Sequence, residues 1–281
     1  MLSNQTSEVA LPSAAHSNYI SDLITAYVRR YKHRGQLKVI NGIERLIGRR
    51  RWNVRTKHGF RIAVDINDLV QNYILETGSW DHNVASTLEQ RWDRDDVFLD
   101  IGANIGFFTL LALRQGLKHV VAFEPLPALA DLLVANASSN CFPVQHLTVA
   151  RVALGSITGC VSYRPGPVEN SGEGQIDLDD SNPSLVVPIT TIDAYLAANP
   201  LHKPTVMKLD VEGLEFDVLQ GASGLFKNSP PHTIVFEAEA NERLEILDRR
   251  IVELFQNLGY HITAVDPALL ATKANFLAKL R

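Results

Sequence analysis

The 281-residue chain is poor in cysteine, in aromatic residues and in long apolar runs. Its two cysteines, Cys141 and Cys160, are too few for a disulfide framework or a zinc cluster of four thiolates. No apolar run approaches the roughly 20 residues that cross a bilayer. The first thirty residues also lack a basic start followed by an apolar stretch. We therefore expect a protein of a reducing, cytoplasmic compartment.

Two common catalytic motifs are missing as well. The sequence has no G-x-S-x-G elbow and no G-x-x-x-x-G-K-[ST] loop, which disfavours serine hydrolases and P-loop NTPases. Its nine histidines are scattered without the spacing of metal ligands. With 46% hydrophobic and 21% charged residues, the chain has the composition of a globular protein.

Charge is distributed unevenly along the chain. Residues 1–60 contain eleven Lys or Arg and three Asp or Glu, whereas the remainder contains 16 basic and 28 acidic residues. The basic residues at 29–57 have two interpretations: peripheral contact with a membrane or an acidic carrier, or a solvated face that packs on the acidic body. The triplet Arg49–Arg51 is too short to indicate a nucleic-acid partner, and we expect none.

Three segments are predicted from the patterns along the chain. Residues 1–17 are predicted to form a flexible leader, and 18–90 a helical and hairpin extension. In this extension the apolar spacing predicts a helix from Tyr19 to about Ile47, with a second piece from Leu37. A hairpin turning at Gly59 and a helix over 68–76 follow.

Residues 91–281 are predicted to form the main domain, in which strands and helices alternate. The predicted strands are 97–100, 119–124, 144–154, 160–164, 205–209, 233–237, 261–265 and 275–278, with 160–164 pairing on 144–154. The predicted helices are 105–114, 126–139, 214–220 and 242–258. This alternation predicts a doubly wound α/β sheet. The irregular stretch Pro165–Pro183 is predicted to be a lid or binding loop.

The turn after the first strand of this domain indicates a cofactor. It has the pattern G-x-x-x-G, with Asn104 where a dinucleotide-binding loop has its second glycine. Asp100, two residues before Gly102, would repel a pyrophosphate but suits a cationic ligand. S-adenosylmethionine is such a ligand. Glu124 ends the second strand, 22 residues after Gly102, where a carboxylate can accept hydrogen bonds from both ribose hydroxyls.

Several motifs carry a family resemblance. The segments Asp100–Thr109, Phe123–Pro125 and Lys208–Ala222 resemble the FkbM family of S-adenosylmethionine-dependent methyltransferases, and the resemblance extends from about Val54 to Leu280. It implies a class I, Rossmann-like fold with a doubly wound, mostly parallel seven-stranded sheet. It also implies methylation of a hydroxyl on a small molecule such as a sugar, polyketide or peptide natural product.

The resemblance also implies which residues contact the cofactor. The loop Asp100–Gly106 would hold the methionine end and Glu124 the ribose. Asp81 ends a stretch, from Gly78, that resembles a family segment expected to end in Glu. The implied cofactor-binding residues are Asp100, Gly102, Ala103, Asn104, Gly106, Thr109, Glu124, Pro125 and Asp81.

Catalytic candidates follow the strand over 205–209. Lys208, Asp210 and Glu212 alternate with apolar residues, so their side chains are predicted to point to one side. A hydroxyl needs a general base, and Asp210 is the first candidate. Lys208 would orient Asp210 or act as the base itself. The plainer alternatives are a structural Lys208–Asp210 ion pair and a helix-capping Glu212.

Glu237, at the end of the next strand, completes an acidic rim. Carboxylates at neighbouring strand ends could hold Mg²⁺, which would acidify the acceptor oxygen, so a metal-assisted mechanism stays open. The charged sequence after Leu209 favours O-methylation over the N-methylation of bases and amides. N-methylation of a peptide or amine acceptor by the same family stays an alternative, and an oxidoreductase using NAD is the alternative from another enzyme class.

Overall fold

The computed structural model describes residues 14–31, 35–47, 51–164, 166–167, 170, 174–177, 185–266 and 272–280. Most of the predicted leader therefore lies outside the described residues, as do Arg49 and Arg50 and parts of the predicted loop Pro165–Pro183. Within the described part of the chain, no helix combines the length and the apolar character of a membrane-crossing segment.

Helices and strands alternate through most of the described chain. The helices are α1 (Ala14–Arg30), α2 (Gln36–Ile47), α3 (Leu69–Thr77), α4 (His82–Glu89), α5 (Phe107–Gln115), α6 (Pro127–Ser139), α7 (Ile192–Ala198), α8 (Glu215–Gln220), α9 (Ser223–Asn228) and α10 (Arg249–Asn257). The strands are β1 (Trp52–Arg55), β2 (Arg61–Val64), β3 (Val97–Ile101), β4 (His119–Phe123), β5 (Leu147–Ala150), β6 (Ala153–Leu154), β7 (Gly159–Arg164), β8 (Gln175–Asp177), β9 (Leu185–Thr190), β10 (Val206–Leu209), β11 (Thr233–Glu239), β12 (Tyr260–Ala264) and β13 (Lys273–Leu280).

Seven of these strands form the main sheet, in the order β12-β13-β11-β10-β3-β4-β5. Strand β13 runs antiparallel to both of its neighbours, and the strands from β11 to β5 are parallel. The predicted doubly wound, mostly parallel seven-stranded sheet is therefore confirmed. The parallel order reverses at β3 and β10, and such a switch point is where α/β sheets open a crevice at the carboxyl ends of their strands.

Side chains of the main sheet alternate between two apolar cores. Phe98 and Val235 pack into the core that contains α5 and the extension, whereas their neighbours Leu99 and Ile234 pack into the core that contains α7 to α10. This period of two is expected for strands that are covered by helices on both faces. Because helices cover both faces of the sheet, a site can form only at the ends of the strands.

The extension packs on the first of these faces. The predicted hairpin is confirmed, with β1 and β2 antiparallel. Asn136 on α6 and Asn140, the C-cap residue of that helix, bind the second strand of the hairpin. Asn136 Oδ1 accepts from Ala63 N at 2.8 Å, and Asn140 Oδ1 accepts from Arg61 N at 2.7 Å. Asn136 also donates to the carbonyl of Ile105, at 2.9 Å. These bonds connect the extension with the loop that precedes α5.

Several predictions for individual elements were wrong. Helix α1 begins at Ala14, inside the predicted leader, and α4 was not predicted. The predicted helix over 242–258 begins only at Arg249, because Asn241 Oδ1 accepts from the backbone of Arg243 and Glu245 and closes a turn there. Asp248 then caps α10.

The largest error concerns residues 144–190. Strand β7 does not pair on the segment before it but lies between β8 and β9, in a four-stranded sheet of order β6-β9-β7-β8. The predicted strand over 144–154 is divided, since β5 joins the main sheet and β6 the small one. Short strands with distant partners carry weak local signals, so their pairing is decided by packing.

A backbone contact joins the ends of β3 and β10. Gly102 has a φ of +80°, and a Cβ on it would lie 1.8 Å from the carbonyl oxygen of Asp210. Only glycine adopts this conformation freely and permits this approach. Asp210 N donates to the carbonyl of Ile101, at 3.0 Å, and secures the same junction.

We expect Gly102→Ala to lower the free energy of unfolding by at least about 3 kcal/mol, because it adds a backbone clash to the cost of a left-handed residue. Gly116→Ala is the matched control, since Gly116 has a φ of +78° and open space around it. We expect it to cost about 1 kcal/mol. Urea unfolding measures both, and equal losses would contradict the close approach at Gly102.

Candidate active site

A crevice with two lobes runs along the carboxyl ends of β3, β4, β10 and β11. Gly102, Asn104, Asp210 and Glu212 line both lobes, so the turn after β3 lies between them. The smaller lobe encloses about 590 Å³ and the larger about 1680 Å³, counting space open to solvent.

The two lobes have different walls. The smaller lobe lies between the end of β4 and the small sheet, and its walls include Phe123, Pro125, Leu129, Tyr163 and Ile176. The larger lobe lies under the extension. Its apolar lining includes Leu69, Val70, Ile74, Trp80, Phe107 and Phe108. Besides Asp210 and Glu212, its polar lining includes Arg164, Asn170, Gln175, Lys208, Glu237 and Lys273.

Glu124 is buried in the wall of the smaller lobe. Its two carboxylate oxygens accept from the backbone N–H groups of Asn104 and Leu126, both at 2.9 Å. Burial raises the pKa of Glu124 to about 7, although both hydrogen bonds oppose the shift. A carboxylate in this position retains lone pairs for hydroxyl donors in the lobe.

Asp100 lies beneath the turn and does not line the crevice. It is fully buried, and the Thr109 hydroxyl donates to its Oδ2 at 2.6 Å. Its Oδ1 has no hydrogen-bond partner among the described residues. Burial raises the pKa of Asp100, against the opposing effect of Lys208, its partner in register on β10. Asp100 is therefore separated from the crevice by the turn that it supports.

Lys208 and Asp210 form an ion pair, with Nζ 2.9 Å from Oδ2. Burial alone lowers the pKa of Lys208, but the carboxylates of Asp210, Asp100 and Asp81 outweigh it, and the pKa is raised. The ammonium also lies 4.7 Å from the centre of the Phe108 ring. Lys208 therefore keeps its proton, while the Asp210 side chain is 32% exposed towards the crevice.

The three predicted carboxylates of the rim come together. One oxygen from each of Asp210, Glu212 and Glu237 lies within 4.8 Å of the others. Lys273 Nζ donates to Glu212 and, at 2.9 Å, to Glu237. Burial and Asp210 raise the pKa of Glu237 to about 7, although Lys273 opposes the shift. Because an ammonium already binds two of these carboxylates, the group as it stands does not fit Mg²⁺.

Glu212 is not the cap of the following helix. Its backbone has a φ of +53°, and its side chain turns to Lys273. Glu215 instead binds the backbone before α8: its Oε1 accepts from Val211 N and Gly213 N at 3.4 and 3.3 Å. Strand β10 ends at Leu209, so Glu212 lies in the turn that follows it.

Asp81 caps helix α4 beside the crevice. Its carboxylate accepts from Val84 N at 3.2 Å and from Asn275 Nδ2 at 2.8 Å, and burial raises its pKa to about 6. Asp81 does not line the crevice, whereas its neighbour Trp80 does.

Of the nine residues implied to contact a cofactor, five line the crevice: Gly102, Ala103, Asn104, Glu124 and Pro125. Asp100, Gly106, Thr109 and Asp81 do not. Their contact with a cofactor remains a prediction.

Sequence reasoning missed Lys273 and the wall around Tyr163. Lys273 begins β13, and an antiparallel strand begins at the edge where its parallel neighbours end. That topology was the available signal for Lys273. No local pattern indicates Tyr163, because its place at the crevice depends on how β7 pairs in the small sheet.

Comparison with known proteins gives both a family and relatives. Hexuronic acid methyltransferase AglP of Haloferax volcanii is 29% identical over 148 residues, which cover 53% of this chain and 59% of the relative. Methyltransferase 1 of Beauveria bassiana is 26% identical over 191 residues, covering 60% of this chain and 69% of the relative. The chain thus spans about three fifths of the length of the archaeal relative.

A solved structure of methyltransferase FkbM from Methylobacillus flagellatus superposes with a TM-score of 0.45 and 18% identity, covering 67% of this chain and 44% of that one. The family model described as the methyltransferase FkbM domain matches residues 100–262, more than half of the chain, and this range contains the glycine turn, Glu124 and the Lys208–Asp210 pair. The chain therefore belongs to the FkbM methyltransferase family.

Proposed function

We propose that this protein transfers a methyl group from S-adenosylmethionine to a hydroxyl of a sugar, with Asp210 as the general base. The observation that carries the proposal is the Lys208–Asp210 pair: a buried ammonium holds a partly exposed carboxylate where the two lobes of the crevice meet. Family membership supports the type of reaction, and the hexuronic acid methyltransferase supports the class of acceptor.

The smaller lobe suits a positively charged nucleoside. Three carboxylates line it, from Glu124, Asp210 and Glu212, and its described lining includes no Lys or Arg. Such a lobe repels the pyrophosphate of NAD and attracts a sulfonium. Apolar contacts from Pro125 and Leu129 suit a base, and Glu124 suits ribose hydroxyls. S-adenosylmethionine would supply a methyl group activated on its positive sulfur.

Asp210 suits the proton transfer that the acceptor needs. Lys208 binds its Oδ2, which leaves Oδ1 to accept the hydroxyl proton as the oxygen takes the methyl group. The bond from sulfur to the methyl carbon breaks, the bond from oxygen to carbon forms, and the proton passes to Asp210. Because Asp210 is partly exposed, solvent can remove that proton afterwards.

The larger lobe suits a sugar acceptor. Trp80 offers an aromatic face, and Asn170 and Gln175 offer planar amides that can bind neighbouring hydroxyls. Arg164 lines the same lobe and suits the carboxylate of an acidic sugar. This lining supports a hexuronic acid as the first acceptor class to test.

Cofactor binding is expected to depend on Glu124 and on pH. The ionised carboxylate accepts two ribose hydroxyls, and with a pKa of about 7 its ionised fraction rises steeply between pH 6 and 8. We expect the affinity for S-adenosylhomocysteine to rise up to ~10-fold over that interval. In Glu124→Gln the affinity should be lower and nearly independent of pH.

Isothermal calorimetry at pH 6, 7 and 8 measures this dependence, with the exposed Glu253→Gln as the matched control. NAD is titrated in parallel. Micromolar binding of NAD without binding of S-adenosylhomocysteine would overturn the cofactor assignment. An equal pH dependence in Glu124→Gln and the parent would overturn the role of Glu124.

Asp210→Asn is expected to lower the turnover number by about 10²–10⁴, because the amide cannot accept the hydroxyl proton. The affinity for S-adenosylhomocysteine, which lacks the sulfonium charge, should stay within about threefold of the parent, since the proton moves only in the transition state. Transfer of a radiolabelled methyl group to a panel of hexose and hexuronic acid glycosides measures turnover. The control is Asp131→Asn, because Asp131 forms an ion pair with Arg151 on the surface. Undiminished turnover in Asp210→Asn would exclude Asp210 as the base.

A further inference from the structure

Lys273 lies among carboxylates at the rim of the larger lobe. It is the first residue of β13, and it reaches Glu212, after β10, and Glu237, on β11. These three side chains are only 21–30% exposed. The contacts join parts of the chain that are 61 and 36 residues apart in sequence.

At this rim each carboxylate contacts a lysine ammonium. Asp210, Glu212 and Glu237 each place an oxygen within 4.8 Å of the other two, a spacing that a single cation can bridge. Lys208 binds Asp210, and Lys273 binds the other two carboxylates. Each carboxylate therefore has an ammonium from the chain itself.

We propose that Lys273 takes the place of a divalent cation at this rim, as a positioning residue that holds Glu212 and Glu237 beside the base. The part of this inference that concerns catalysis rests on the proposed function. The part that concerns the cation stands on the ion pairs alone.

The physical reason is the repulsion among three close carboxylates. Without a cation between them, they separate, take up protons or bind a metal ion. The ammonium of Lys273 prevents this, because it donates to both glutamates. The pairing of β13 with β11 fixes its position, so no cation has to be taken up from solution. Glu212 keeps a left-handed backbone, which persists where the surroundings hold it in place, and its contact with Lys273 supplies such a hold.

This inference predicts that removing the ammonium creates a cation site. We expect the parent to bind Mn²⁺ with a dissociation constant above ~5 mM, and Lys273→Met to bind it below ~1 mM, the range of weak protein carboxylate sites. Lys279→Met, an exposed lysine on the same strand, should behave as the parent does. Lys273→Met combined with Glu237→Gln should lose the new site, because a ligand is removed.

Calorimetry and the paramagnetic resonance of free Mn²⁺ measure binding without cofactor or acceptor, so this result does not depend on the proposed function. Circular dichroism checks folding, and Lys273→Gln is a second variant if Lys273→Met does not fold. The inference is overturned if the parent binds Mn²⁺ with a dissociation constant below ~5 mM, or if no folded Lys273 variant binds it more tightly than the parent does.

Activity gives a separate test. Methyl transfer by the parent should be unchanged by EDTA, whereas Lys273→Met should lose at least tenfold and recover part of that loss when Mn²⁺ is added. Loss of parent activity in EDTA would overturn the inference. If Mn²⁺ binding follows the expectation and no methyl transfer is found with any acceptor of the panel, the proposed function fails and the cation inference stands.

Discussion

The close approach of Gly102 to the carbonyl of Asp210 is the contact on which the rest of the site depends. It brings the turn after β3 against the end of β10. The smaller and the larger lobe therefore meet at this junction. A side chain at position 102 would separate the two strand ends. Neighbouring parallel strands make this junction possible, because their carboxyl ends lie at the same edge of the sheet.

Charge compensation is the second constraint at that edge. Asp100 and Lys208 are paired in register inside the sheet, and each shifts the pKa of the other. Buried charges of one sign are costly, and Asp210, Glu212 and Glu237 each have an ammonium group as partner. Lys208 pairs with Asp210 from within the sheet, and Lys273 pairs with Glu212 and Glu237 at the rim. Asp210 pairs with Lys208 and places a carboxylate oxygen within 4.8 Å of those of Glu212 and Glu237, and its side chain is 32% exposed.

Much of the site was predictable because its residues follow strands in fixed patterns. Asp100, Gly102 and Glu124 lie at or just after the ends of β3 and β4, and Lys208 and Asp210 lie at the end of β10, where local patterns had placed them. Their contacts with a cofactor or acceptor stay predictions. Glu212 lies on the predicted side beside Asp210, but no pattern indicated its positive φ. Strand β7 was paired wrongly and Lys273 was missed, because both depend on partners far away in sequence. The helix before Arg249 was overpredicted, since its apolar spacing concealed the turn closed by Asn241.

Local sequence was sufficient for the α/β class, for the turn at Gly102 and for the acidic residues that surround it, because strand period, glycine and charge act over a few residues. Packing of the whole chain was needed to bury Asp100 beneath that turn and to bring Trp80 of the extension to the crevice. It also placed Lys273 between two glutamates. Burial and long-range register depend on every element at once, and a local pattern contains neither.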